Sequence, residues 1–143
     1  MMLNKVLRIV LFATFWALTM TGCKEGDTST DQTVRVCYIP FSASTYAAIG
    51  RSSFEKKCTD LGDMSLKHEP MRGLFEEVQR GAPAKSFDDN VVRLSIRMPD
   101  NSLVYLNQDG EVIHAAQVVK ISPQFMAELD ERLYKLQQRV FQY

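Results

Sequence analysis

An α+β fold, a small antiparallel β-meander sheet with two helices packed on one face, is predicted for this 143-residue chain by two features. Between Val92 and Ile121 short alternating segments are joined by clusters of turn residues. On either side of them lie stretches whose apolar residues recur every three or four positions. A meander of that size has one apolar face to cover, and two amphipathic helices are enough to cover it.

The elements follow in order. Val34, Val36 and Tyr38 alternate with Arg35, Cys37 and Ile39, a strand with both faces partly buried, and Pro40 ends it or marks an edge. Phe41 to Cys58 stays open. Tyr46-Ala47-Ala48-Ile49 reads as a short strand, and Ser52 to Lys57 as a helical turn or a second strand. Asp60-Leu61-Gly62-Asp63 has the composition of a turn or loop. Pro70 opens a helix in which Met71, Leu74, Phe75 and Val78 line one face and Glu76 and Glu77 point outward; proline at a first helical position loses no intrahelical hydrogen bond. Gly81 and Pro83 stop it, with Gly81 free to take the left-handed conformation.

After the polar loop Lys85 to Asn90, Val92, Leu94, Ile96 and Met98 alternate with Arg93, Ser95 and Arg97, a strand with one core face and one wet face. Pro99-Asp100-Asn101-Ser102 turns the chain into Leu103–Leu106, and Asn107-Gln108-Asp109-Gly110 turns it into Glu111–Ile113. A reversal at His114-Ala115-Ala116 leads to Gln117–Ile121, the alternative being one long strand from Val112 to Ile121. Ser122 and Pro123 are N-cap and first residue of the last helix, whose stripe is Phe125, Leu129, Leu133, Leu136 and Val140 with Met126 and Phe141 beside it.

The N-terminus reads as an address. Lys5 and Arg8 precede an uncharged apolar run, Ile9 to Met20, too short to span a bilayer stably. It closes on Met20-Thr21-Gly22-Cys23. This resembles the lipobox of bacterial lipoproteins, with Met20 where leucine is usual, and the resemblance covers residues 1–23 alone. It implies cleavage before Cys23 and acylation of that thiol, hence attachment to the lipid bilayer. The expected organisation is a signal peptide over 1–22, the lipidated cysteine and a flexible tether over 23–33, and one domain over 34–143. Residues 24–33 carry no apolar side chain, and a flexible segment of that length reaches roughly 17 Å. Lys24 stands where enterobacterial lipoproteins retained at the inner membrane tend to carry aspartate, so the resemblance points to the outer membrane, facing the periplasm.

Export bears on the two remaining cysteines, since such pairs join in oxidising compartments; a Cys37–Cys58 disulfide is expected. Their spacing is not the close pairing of a redox-active motif. The chain has 17 basic and 17 acidic residues; loss of Lys5 and Arg8 leaves 15 against 17, or −2. Scattered basic residues in that balance argue against nucleic acid as a partner.

Catalytic chemistry is sparse. His68 and His114 have no further ligands at metal spacing, so no metal or other cofactor is expected, and neither histidine has a sequence-evident nucleophile and orienting carboxylate. Glu76-Glu77 and Asp88-Asp89 read as solvated pairs, and no nucleophile elbow, phosphate loop or dinucleotide fingerprint occurs. No catalytic residue is assigned. The segment between the two cysteines holds Tyr46, Arg51 and Phe54, residue types that anchor protein interfaces, and these are the candidate partner-binding residues. Ser42-Ala43-Ser44 and Tyr46 are similar to part of the signature of periplasmic lysozyme inhibitors, but the glycine after the serine and the later tryptophans are missing. The expected function is a non-enzymatic protein-binding module, an accessory subunit of an envelope or secretion assembly. An immunity or inhibitor protein acting on a periplasmic toxin or lytic enzyme is the alternative, and an enzyme of envelope polymers a more distant one.

Overall fold

The computed structural model describes residues 31–44 and 48–143, so Cys23 and Tyr46 lie outside the described residues. The strands are β1 (Thr33–Tyr38), β2 (Thr59–Ser65), β3 (Ala82–Pro83), β4 (Val92–Arg97), β5 (Leu103–Asn107), β6 (Glu111–His114) and β7 (Gln117–Lys120). The helices are α1 (Arg51–Phe54), α2 (Met71–Arg80) and α3 (Pro123–Val140). All strand pairs in the seven-stranded sheet are antiparallel, in the order β2-β1-β4-β5-β6-β7-β3. The α+β meander is thus present, and it is extended at both edges by strands that local composition does not announce.

The main core lies on the face covered by α2 and α3. Val34, Val36 and Tyr38 of β1, Leu94 and Ile96 of β4, Val104 and Leu106 of β5 and Val112 of β6 meet Met71 and Leu74 of α2 and Met126, Leu129 and Leu133 of α3. Ser122 Oγ accepts a hydrogen bond from Phe125 N at 3.2 Å, with Pro123 in the first turn, so the sequence signature of that helix start is realised. Further along α3, the Asp130 carboxylate accepts from the Tyr38 hydroxyl and, at 2.9 Å, from Phe41 N, which ties the helix to the end of β1. Burial, followed by that hydrogen bond, pushes the Tyr38 phenol far above its ordinary range. Gln137 Nε2 donates to Thr59 Oγ1 at 2.8 Å, at the β2 edge of the sheet. Beyond that point the helix has no sheet beneath it. Val140 and Phe141, assigned to the apolar stripe by their spacing, are exposed.

Two bulges redirect side chains. In β2 the pairing passes from Val36↔Gly62 to Cys37↔Asp60, leaving Leu61 as the extra residue beside Gly62 at φ 82°. The turn chemistry of Asp60 to Asp63 therefore serves a bulge in an edge strand and not a loop. In β4 the pairing steps from Val92↔Asn107 to Leu94↔Leu106 around Arg93. Val92 is thereby turned to the other side of the sheet, and Arg93 and Ser95 are buried where a wet face was expected. Arg93 donates to Val92 O at 3.0 Å, Ala43 O at 3.3 Å and Gln108 Oε1 at 2.9 Å, and burial lowers its pKa.

Two further positions depart from the sequence reading. Pro70 is the N-cap of α2 and not its first residue, and Gly81 is extended (φ −65°, ψ 152°) and not left-handed. A Cβ on Gly81 would lie 2.2 Å from Val119 Cγ1, so glycine there answers to close packing of the α2–β3 corner on β7. The reversal after β6 is a two-residue turn with Ala115 at φ 48° and Ala116 at φ 65°, the backbone of a hairpin turn normally made with glycine or asparagine.

Candidate functional site

The second face of the sheet is built differently from the first. From β3 at the outer edge the chain must return to β4 in the middle, and residues 84–91 make that return across β7, β6 and β5. Buried Asn107 pins it: Nδ2 donates to Asp88 O at 3.3 Å and to Glu111 Oε2 at 2.5 Å, and Glu111 Oε2 also accepts from Asp88 N at 3.0 Å. At the other side α1 lays Phe54 against Ile39, Ile49 and Val92, with Cys37, Cys58, Phe87 and Tyr105 around them. Between these two covers part of the face stays open.

Register defines what lies there. Cys37, Ser95, Tyr105, Ile113 and Val118 are cross-strand neighbours in one row from β1 to β7, and Arg35, Arg97 and Leu103 form the next. Leu103, Tyr105, Ile113 and Val118 are each partly exposed. An open cleft of about 200 Å³ runs along β1 and β4 between α1 and β2, lined by Arg35, Cys37, Glu55, Cys58, Asp60, Ser95 and Arg97.

Like charges directly opposite on a sheet repel. Arg35 and Arg97 are so placed, and each is given its own carboxylate. Arg35 holds Asp60 Oδ2 through Nη2 at 2.5 Å and Nε at 3.0 Å, and Arg97 Nη2 holds Glu55 Oε1 at 2.7 Å. The Arg35 hydrogen bond, followed by that from Gly62 N, keeps the Asp60 carboxyl below the usual carboxylate range. The disulfide lines this cleft: Cys37 and Cys58 are bonded, with Cα atoms 5.6 Å apart, the pairing expected from the sequence.

The predicted partner-binding residues are distributed unequally. Phe54 is fully buried as the anchor of α1 and cannot contact a partner directly, a correction that follows from α1 having its own core on this face. Arg51 is at the surface, where it holds Asp89 through Nε–Oδ1 at 2.5 Å and Nη2–Oδ2 at 2.7 Å and stacks its guanidinium 5.5 Å from the Phe87 ring. Tyr46 lies outside the described residues, so Arg51 is the one of the three placed at the rim of the open face. Cys23 likewise lies outside them. The residues that sequence alone did not single out, Ser95, Arg97, Glu55 and Tyr105, are separated along the chain and meet through strand register and the packing of α1.

His68 is exposed before α2. His114 has neighbours that the sequence did not reveal: its Nε2 is 3.2 Å from Ser102 Oγ, which donates to Asp100 Oδ1 at 2.6 Å. Ser102 Oγ thus bridges the Asp100 carboxylate and the imidazole. This arrangement sits at exposed hairpin ends and serves the turn, where Ser102 N also donates to Asp100 Oδ1 at 2.9 Å. Among the described residues there is no group of three or more potential ligands able to hold a metal ion, and no helix is long and apolar enough to cross a membrane. No known protein family matches the chain, and no characterised protein or solved structure is similar to it at a significant level.

Proposed function

We propose that this protein is a lipid-anchored lipoprotein of the bacterial envelope, held at the outer membrane through acylated Cys23, and that it works there as a non-enzymatic protein-binding module of an envelope or secretion assembly. The observation that carries the binding role is the open part of the second sheet face. It combines partly exposed apolar residues from two adjacent rows, Tyr105, Ile113 and Val118 with Leu103 beside them, and arginines 35, 97 and 51. Aromatic, aliphatic and arginine side chains on a rigid surface are the residues that dominate protein interfaces. Ion pairs to Asp60, Glu55 and Asp89 hold the three arginines in place before binding, which lowers the ordering cost of association.

The experiment has two arms. Cys23→Ser should move the protein from the membrane fraction to a soluble or uncleaved form, since one residue carries the acyl chains. Unchanged fractionation without an acyl mass on the N-terminus would overturn the anchor. Leu103→Asp should abolish co-purification of envelope proteins that the wild type retains, with the melting temperature held, whereas Tyr134→Asp on exposed α3 should not. Loss with Tyr134→Asp alone would place binding on the helix instead.

A further inference from the structure

Among the described residues, the large apolar side chains that stand out in solvent all lie between positions 134 and 143: Tyr134, Val140, Phe141 and Tyr143, with Phe141 68% exposed. Single exposed apolar residues are ordinary on a protein surface, whereas several in one stretch mark a surface that meets something. The physical cause is the length of α3, whose apolar period runs on past Gln137, the residue that Thr59 holds at the β2 edge of the sheet. Leu136 is half covered at that edge, and Val140 follows it one turn further on.

The charges around this stretch indicate what covers it. From position 132 to position 143 the chain carries Arg132, Lys135 and Arg139 and no acidic side chain. Lys56 and Lys57, both exposed, belong to the turn that leads into Thr59 and so stand at the same edge. The carboxylates nearby have partners of their own. Glu131 holds Lys135, Glu55 holds Arg97, and Asp60 holds Arg35, which Asp63 also faces across the strands. Asp130 accepts from the Tyr38 hydroxyl and Phe41 N, and Glu128 stands one turn before Arg132. The remainder is positive: Arg139, Lys56 and Lys57 have no ion pair among the described residues.

Aromatic and aliphatic side chains beside surplus lysine and arginine are the composition of a helix end that settles into the headgroup layer of an anionic bilayer. The proposed anchor brings such a surface within reach. Residues 24–33 extend roughly 17 Å. Thr33 pairs with Ser65, and Tyr38, at the far end of β1, pairs with Thr59 beside α3. The strand between them spans about 17 Å, so the tether is long enough for the domain to lie down on that edge. Ile113 and Val118 stand on β6 and β7, towards the opposite edge of the sheet, and lipid contact at the β2 edge leaves them free.

We infer that the end of α3, through Val140, Phe141 and Tyr143 with Arg139, Lys56 and Lys57 around them, is a second membrane contact that docks on anionic phospholipid headgroups and holds the domain against the bilayer. This goes beyond the acyl anchor proposed above and rests on it.

The test uses the acylated protein reconstituted in vesicles, with an environment-sensitive fluorophore on Gln142→Cys. Cys37 and Cys58 are bonded and Cys23, in that reading, is acylated, so the introduced thiol is the reactive one. In vesicles of equal parts phosphatidylethanolamine and phosphatidylglycerol, spin-labelled lipid should quench the fluorophore; in pure phosphatidylcholine it should not. Arg139→Glu should lower the quenching at least about fivefold, the order set by the attraction of one basic side chain to an anionic surface. Phe141→Ser should lower it as well, and both variants should still float with the vesicles and keep their melting temperature, since both positions are exposed. The same fluorophore on Asp109→Cys, in the β5–β6 turn, should stay unquenched. Equal quenching in the two lipids, equal quenching at positions 109 and 142, or unchanged quenching in Arg139→Glu would each overturn the inference. A blue shift at position 142 without quenching would also overturn it and seat a second copy of the protein on the helix end. Flotation of the acylated protein with no quenching at position 142 removes the docking and leaves the anchor. Quenching at position 142 in a chain without an acyl mass removes the anchor and leaves the docking.

Discussion

Removing the disulfide with the double substitution Cys37→Ala, Cys58→Ala should cost about 3 kcal/mol of unfolding free energy. The two half-cystines are 21 residues apart, and closing a loop of that length lowers the entropy of the unfolded chain by about 3.4 kcal/mol at room temperature. That is a large fraction of the roughly 5–15 kcal/mol by which small domains are stable. The location adds a structural consequence. The bond joins β1 to the segment between α1 and β2, and α1 is otherwise held mainly by Phe54 in the smaller core. Alanine avoids leaving two hydroxyls in a half-buried setting, so the loss reads the cross-link and not a new polar burial. Urea unfolding followed by far-ultraviolet circular dichroism is the assay. The variant's midpoint should fall and its m-value rise slightly, as the uncrosslinked unfolded chain exposes more surface. Wild type in reductant should coincide with the variant. A loss below about 1 kcal/mol, or two titratable thiols in the denatured, unreduced protein, would refute the reasoning.

Other expectations follow from single positions. Leu129→Ala and Leu133→Ala on α3, both essentially inaccessible, should each cost roughly 2–5 kcal/mol, whereas Phe141→Ala and Glu131→Ala should change stability by less than about 0.5 kcal/mol in chemical denaturation; equal effects at all four would mean α3 is not packed as described. Ala116→Gly should stabilise by about 0.5 kcal/mol, because relief of a left-handed alanine, about 1–2 kcal/mol, exceeds the added freedom of glycine in the unfolded chain; a lowered melting temperature would contradict it. Asp60 and Asp89 are held below the usual carboxylate range, first by hydrogen bonds from Arg35 and Arg51. Their folded-state pKa is depressed, so the stability they contribute is present above the unfolded value near 4 and is lost as pH falls through the folded value. Asp60→Asn, Asp89→Asn should therefore flatten the decline of the melting temperature below about pH 4, and an unchanged slope would rule these pairs out as contributors.

The sequence made the core legible where period and turn chemistry agree. Leu94, Ile96, Val104, Leu106 and Val112 fall on the helix-covered face, and Ser122-Pro123 marks the start of α3, because each signal is local. It misled where a local signal was used for another purpose. Asp60-Leu61-Gly62-Asp63 has turn residues, and they form a bulge in a strand whose pairing partner, β1, lies over twenty residues earlier. Val92 keeps the alternation of its strand on paper, but the extra residue Arg93 turns it to the opposite face. The periodicity of α3 continues to Val140 and Phe141 although the sheet beneath it ends near Thr59. For the candidate site the gap is wider: aromatic and arginine residues between the cysteines drew attention to Arg51 and Phe54, yet the cleft is assembled from β1, β2, β4 and α1 by register, which no local window contains.

Photo-crosslinking in living cells tests the central claim, that the protein works by binding through the open sheet face, most directly. A photoreactive amino acid is placed in turn at Leu103, Ile113, Glu131 and Tyr134 of the protein, and adducts are resolved by size and mass spectrometry. The account predicts a discrete protein adduct from Leu103 and Ile113, reduced by Arg97→Gln, and none from Glu131 or Tyr134 on α3. Adducts confined to the α3 positions, or none at any position while His114→Ala alone abolishes the cellular phenotype, would contradict it.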